Sequence, residues 1–141
     1  MNNATILIID DDQELRENLT EILADEEYTV LSTYNGVDGL RLLVDHPVDL
    51  LLLDLKIPGI SGREVLVNVK RTAPHVKVVI ITGRPVNWHL NDHGEVSEEE
   101  ELDLAKSDAL LSKPFTIPAL LEVIRTLLDG EGRSPARPAR G

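Results

Sequence analysis

Five short apolar runs, alternating with stretches of helical periodicity, limit this chain to a narrow set of folds. The runs fall at 5–9 (TILII), 28–33 (YTVLST), 48–53 (VDLLLL), 76–81 (VKVVII) and 109–112 (ALLS). The first, third and fourth are almost unbroken in Leu, Ile and Val, as strands of a parallel sheet are when helices cover both faces. The run at 28–33 mixes polar and apolar residues and reads as an edge strand. Between the runs, Leu15, Leu19, Ile22 and Leu23 recur at helical spacing behind Asp12, a good N-cap. Val37, Leu40, Leu43 and Val44 do the same behind Asn35, with Pro47 closing that helix. Ser61-Gly62-Arg63-Glu64 has capping-box spacing and opens a helix to about residue 72, stopped by Pro74. Thr116 caps a last helix with Leu120, Leu121, Ile124, Leu127 and Leu128 on its apolar face and Gly130 as its stop. Strand–helix units in series require crossover connections and a parallel sheet, so the class is α/β, doubly wound.

Two segments break this rhythm. Residues 84–96 (RPVNWHLNDHGEV) follow neither period and read as a loop, after which Ser97 to Glu100 has capping-box spacing again. From Pro85 to Ala105 there are seven acids and no Lys or Arg, the larger share of a net charge of −11. The tail at 131–141 (EGRSPARPARG) carries nothing that could build a core and reads as disordered. One domain over 1–130 is the expectation, with the tail apart from it.

Composition removes several function classes. With 14 basic against 25 acidic residues, the chain lacks the basic face that direct nucleic-acid binding needs. No cysteine is present, which excludes disulfides, thiol nucleophiles and Cys-type zinc sites. No apolar stretch approaches the roughly eighteen residues that span a bilayer, and no signal-type segment opens the chain. Membrane insertion is not expected, and a cytoplasmic location is.

The residues at the strand ends carry the chemistry. In an open parallel sheet, ligands bind beyond the carboxyl ends of the strands. Here the first run leads into Asp10-Asp11-Asp12, the third into Asp54, the fourth into Thr82-Gly83 and the fifth into Lys113-Pro114. Any one of these has an ordinary structural explanation; Asp12 alone is an N-cap. Together they bring several carboxylates, a hydroxyl and an ammonium to one edge. Crowded carboxylates repel, and a hard divalent cation such as Mg²⁺ relieves that repulsion.

The motifs ILIIDDD at 6–12, DLLLLDLKIPGISG at 49–62, VVIITG at 78–83 and LLSKPF at 110–115 resemble those of the receiver domain of bacterial two-component response regulators. The resemblance covers residues 5–128. It implies a flavodoxin-like (βα)₅ fold with strand order 2-1-3-4-5, helices on both faces, and here an insertion before the fourth helix. It implies Asp54 as phosphoacceptor, Asp11 as a direct Mg²⁺ ligand, Asp10 acting through water and the Lys56 carbonyl as a further ligand. Thr82 matches the switch hydroxyl, Lys113 the phosphoryl-pairing lysine, and the bond before Pro114 is expected to be cis. The implied partners are a sensor histidine kinase or histidine phosphotransferase and a downstream protein target, with a homodimer an open option. The protein would catalyse only its own phosphorylation and dephosphorylation.

Several positions depart from the commoner family pattern. Leu110 stands where an aromatic often reports phosphorylation, so switching has to use the backbone or neighbouring loops. Thr82 and Lys113 are farther apart than usual, the excess lying in 84–96, where it would alter or cover a face that commonly binds partners. Lys56 and Arg84 stand at positions that influence how fast water removes the phosphoryl group, and two cations there predict a long-lived aspartyl phosphate. His89 and His93 with Asp92 form an incomplete metal set, Trp88 reads as a packing anchor, and Glu98 to Glu101 as a solvated helix start.

Three other readings compete. An adaptor that keeps the fold but acts through the acidic insertion, without phosphorylation, would not need the acidic pair, Thr82 and Lys113 all intact. A Mg²⁺-dependent phosphatase with an Asp nucleophile needs a second acid where Lys56 stands. A receiver cut from a longer regulator would carry the Pro/Arg tail as the start of a linker. Nucleotide binding has no GxxxxGK or GxGxxG to support it.

Overall fold

The structure is a computed structural model, described here for residues 4–83, 103 and 105–130. Five parallel strands form one sheet: β1 (Thr5–Ile9), β2 (Thr29–Thr33), β3 (Leu50–Asp54), β4 (Lys77–Thr82) and β5 (Ala109–Ser112). Their order is β2-β1-β3-β4-β5, the flavodoxin-like arrangement, with 28–33 at the edge as its mixed pattern predicts. Four helices are described: α1 (Gln13–Asp25), α2 (Gly36–Asp45), α3 (Gly62–Thr72) and α4 (Ile117–Arg125). The loop expected at 84–96, the helix expected from Ser97 and the tail at 131–141 lie outside the described residues.

The unbroken apolar runs are explained by strict alternation between two buried faces. Ile6 and Ile8 of β1, Leu50 and Leu52 of β3, and Val79 and Ile81 of β4 pack beneath α1 and α4, against Leu19, Leu23, Leu120 and Ile124. The intervening Leu7, Ile9, Leu51, Leu53, Val78 and Ile80 pack on the other side against Val65, Leu66 and Val69 of α3. The central strands therefore need apolar residues on both faces.

Helix starts fall where the cap residues place them. The side chains of Asp12, Asn35, Ser61 and Thr116 accept from the backbone amides of Leu15, Asp38, Glu64 and Ala119. At Ser61 the box is complete, because the Glu64 carboxylate accepts the Ser61 amide in return. The last helix differs from its expectation at the far end. It leaves α geometry after Arg125, and Thr126–Gly130 form a wider π turn that ends at the glycine.

Two strands differ from their expected limits in a way that matters for the site. β3 extends through Asp54 and β4 through Thr82, one residue beyond each apolar run. The ladder continues because Asp54 pairs with Ile81, and Thr82 with Ser112. Polar side chains at those positions are thereby held by sheet backbone rather than by loops.

Candidate functional site

At the carboxyl edge of the sheet, one oxygen each from Asp10, Asp11 and Asp54 lies within 4.8 Å of the others. Asp10 and Asp11 come from the turn between β1 and α1, and Asp54 from the last position of β3. Asp10 is wholly buried and Asp54 is 7% exposed, whereas Asp11 faces solvent. Burial of carboxylates is costly unless they are paired, and both buried ones are. The Lys113 ammonium, reaching over from the segment after β5, lies 3.0 Å from Asp10 Oδ2 and 3.6 Å from Asp54 Oδ2.

Backbone donors complete the arrangement. The Asp12 amide donates to Asp10 Oδ1 at 2.9 Å, and the Lys56 amide to Asp54 Oδ1 at 3.2 Å. Thr82, 2% exposed, closes β4, and its carbonyl accepts the Lys113 amide at 2.7 Å. That bond ties the turn bearing Lys113 to the end of β4. The Lys113–Pro114 bond is cis, as the resemblance implied.

The electrostatics follow from this crowding. Burial, and then the neighbouring Asp10 charge, push the Asp54 carboxyl up to about 6, against the opposing pull of Lys113 and the Lys56 amide. Burial works to lower the Lys113 ammonium, but the hydrogen bond and charge of Asp10, followed by Asp54, hold it above its ordinary value. The cluster therefore has more negative charge than Lys113 can balance. A carboxylate set with one exposed member and two buried ones is chemically suited to Mg²⁺, which is bound through a few carboxylates and keeps its waters.

Not every residue singled out in the sequence reaches this cluster. The Lys56 side chain is exposed, and only its backbone amide is seen to touch Asp54. Leu110 sits on β5 opposite Ile80, two residues short of the position paired with Thr82, and is 38% exposed. It is a partly solvated strand residue. At Gly83 a Cβ would meet no atom of the described residues within 4 Å. Arg84, Trp88, His89, Asp92 and His93 lie outside the described residues, as do Glu98 to Glu101.

Two further residues shape the site in ways that neither motif nor spacing states. A Cβ on Gly62 would sit 2.5 Å from the Asp54 carbonyl oxygen and 2.6 Å from Leu55 Cα. Both are backbone atoms, so the start of α3 can lie against the Asp54–Lys56 turn only with glycine there; the Gly62 amide donates to the Leu55 carbonyl at 3.1 Å. Arg16 donates from Nη1 to the Asp10 carbonyl at 2.7 Å. Its position one turn after the cap Asp12 was the available signal: a helical side chain points back toward the helix N-terminus.

Comparison with known proteins agrees with this geometry. Residues 6–125 match the response regulator receiver domain family. The chain is 30% identical over 128 residues to sporulation initiation phosphotransferase F of Bacillus subtilis, covering 91% of this chain and 96% of that one. It is 32% identical over 123 residues to the response regulator MprA of Mycobacterium ulcerans, covering 87% of this chain but 49% of that longer protein. It therefore spans about half the length of that second relative. Among solved structures, the response regulator TrrA of Thermotoga maritima in complex with Mg²⁺-BeF superposes with a TM-score of 0.74 at 28% identity, covering 88% of this chain and 98% of that one. TrrA has also been solved in complex with the histidine kinase ThkA, with the same TM-score and identity, covering 89% of this chain and 98% of TrrA. On its match over residues 6–125 and its strand order, this chain belongs to the response regulator receiver domain family.

Proposed function

We propose that the protein accepts a phosphoryl group from a phosphohistidine onto Asp54 and signals through the altered surface or by passing the group on. The observation that carries this reading is a buried Asp54 carboxylate clustered with the Asp10–Asp11 pair and with the Lys113 ammonium 3.6 Å away. An Asp54 carboxylate oxygen attacks phosphorus in line. The new O–P bond forms as the P–N bond breaks, and the imidazole leaves with the electron pair and takes up a proton. The product is an acyl phosphate, which water later cleaves at phosphorus to return the carboxylate and inorganic phosphate.

The side chains at the site divide the work. In a transition state that spreads charge over the equatorial oxygens, positioning and fixed cations supply most of the catalysis. Lys113 moves its ammonium from Asp10 and Asp54 onto a phosphoryl oxygen. The Thr82 hydroxyl donates to another, and Gly83, having no side chain, leaves room for the group to enter. Asp11, exposed and next to the buried pair, is the direct Mg²⁺ ligand; Asp10, whose oxygens already accept from Asp12 and Lys113, acts through water. Asp54 and the Lys56 carbonyl complete the protein ligands. Mg²⁺ held there supplies a divalent charge against the carboxylates and the incoming phosphoryl oxygens. Lys56 and Arg84 hold the phosphoryl group and slow its hydrolysis.

The donor is a histidine kinase or a histidine phosphotransferase, the pairing seen for TrrA with ThkA. Its docking place is a groove of about 530 Å³ between α1 and the start of α4, where Leu15, Ile22, Phe115 and Ile117 offer apolar surface. Lys113 and Asp12 also line that groove, so a helix seated there brings its histidine to the site. Among the described residues no helix is long and apolar enough to cross a membrane, and we place the protein in the cytoplasm with its kinase.

The test is to locate the phosphoryl group. After incubation with acetyl phosphate and Mg²⁺, borohydride reduction converts an aspartyl phosphate to homoserine. Homoserine at position 54 supports the reading, and modification at any other residue, or none, overturns it.

A further inference from the structure

We infer that Arg16 is a positioning residue for the Mg²⁺-binding carboxylates, acting through the backbone of Asp10; the inference rests on the phosphoacceptor reading above. Arg16 stands on α1 four residues after Asp12, partly buried, with its guanidinium 2.7 Å from the Asp10 carbonyl oxygen. That distance is at the short end for an N–H···O bond, as expected when the donor is charged.

The bond completes the fixing of Asp10 from every side. Its amide donates to the Thr33 carbonyl at 3.2 Å, its Oδ1 accepts from Asp12, its Oδ2 accepts from Lys113, and its carbonyl accepts from Arg16. The last contact has a consequence for Asp11. The Asp10 carbonyl belongs to the planar peptide unit that also carries the Asp11 nitrogen and Cα. Holding that oxygen sets the tilt of the plane, and with it the direction in which the exposed Asp11 carboxylate leaves the chain. Asp11 faces solvent, so the backbone before it is a principal restraint on where its ligand oxygen lies.

Charge and position act in opposite directions here, which makes the role separable. As a positive charge on the backbone of the Asp10–Asp11 turn, Arg16 opposes cation binding, and its removal alone would tighten Mg²⁺. As the anchor of the Asp10–Asp11 peptide, its removal loosens the ligand set and weakens Mg²⁺. The inference requires the second effect to win.

The experiment is calorimetric titration of Mg²⁺ into wild type, Arg16→Ala and Arg16→Lys at neutral pH, with circular dichroism confirming that each is folded. Arg16→Ala is expected to raise the Kd roughly tenfold, the scale of one hydrogen bond to a charged group. Arg16→Lys, which keeps the charge and a donor but loses the planar fork, is expected to fall between the two. In the metal-free proteins, the Asp12 amide, which donates to Asp10, exchanges faster in Arg16→Ala than in wild type. A folded Arg16→Ala that binds Mg²⁺ as tightly as wild type, or more tightly, overturns the inference while leaving the phosphoacceptor reading intact. If Arg16→Ala does not fold, Arg16→Lys decides, and an unchanged Kd there overturns it. Wild-type protein that takes up no Mg²⁺ overturns the phosphoacceptor reading and this inference with it.

Discussion

Lys113 gives its shorter contact to Asp10, at 3.0 Å, and its longer one to Asp54, at 3.6 Å. In this structure the ammonium is therefore first a counter-ion for a wholly buried carboxylate. Removing it leaves Asp10 buried with its charge uncompensated, the costly way to break an ion pair. Lys113→Ala should lose about 2–4 kcal/mol of stability in EDTA at neutral pH, measured by urea denaturation. Added Mg²⁺ should restore part of that loss without restoring phosphorylation. Equal stability of the variant and wild type in EDTA would contradict this assignment of Lys113.

A second expectation concerns pH. Asp54 is pushed from 3.8 up to about 6, so the folded protein keeps a proton that the unfolded chain has already released. The stability this contributes is complete below about 3.8 and is lost as pH rises through about 6. Asp54→Asn has no charge to bury. In EDTA it should be more stable than wild type above that range, by up to about 3 kcal/mol, with the difference closing toward pH 4. Denaturation curves of the pair across pH 4–8 check the sign, and a variant less stable than wild type at neutral pH would refute it.

Gly62 and Gly83 make a matched pair for substitution. A Cβ at Gly62 would press on the Asp54 carbonyl and Leu55 Cα, backbone atoms that no rotamer change can move. Gly62→Ala should cost about 1–3 kcal/mol and slow phosphorylation by displacing the Asp54–Lys56 turn. Gly83→Ala meets no atom of the described residues within 4 Å and should change stability by less than about 0.5 kcal/mol. It should nonetheless slow phosphoryl uptake, because the new methyl occupies the space the group enters. Thermal unfolding together with acetyl phosphate kinetics separates the two effects.

The proposed role of Lys56 and Arg84 is to lengthen the life of an acyl phosphate on Asp54. If they hold the phosphoryl group and hinder water, the Lys56→Ala/Arg84→Ala pair should release phosphate severalfold faster than wild type. Radiolabel loss from purified phosphoprotein measures this directly, and an unchanged rate would remove both cations from the account.

How far the sequence could be read depended on whether a feature is local. The caps at Asp12, Asn35, Ser61 and Thr116 are one-residue chemistry and fall where their spacing puts them. The buried strands were legible because both faces demand apolar residues. Their last positions were not, since Asp54 and Thr82 continue the ladder through pairing with Ile81 and Ser112 rather than through hydrophobicity. The π turn after Arg125 has no marker in a pattern that runs on to Leu127 and Leu128. The Asp10–Lys113 contact joins residues from opposite ends of the chain, and strand-end reasoning brought them to one edge of the sheet without showing that they pair. Gly62 and Arg16 act through the backbone of another segment, a relation that composition and spacing do not encode.

The most direct measurement is intact mass after incubation with acetyl phosphate, for wild type and Asp54→Asn, each with Mg²⁺ and with EDTA. The account predicts a gain of one phosphoryl group in wild type with Mg²⁺ and none in the other three samples. A gain that survives Asp54→Asn, or no gain in wild type that has demonstrably bound Mg²⁺, would contradict it.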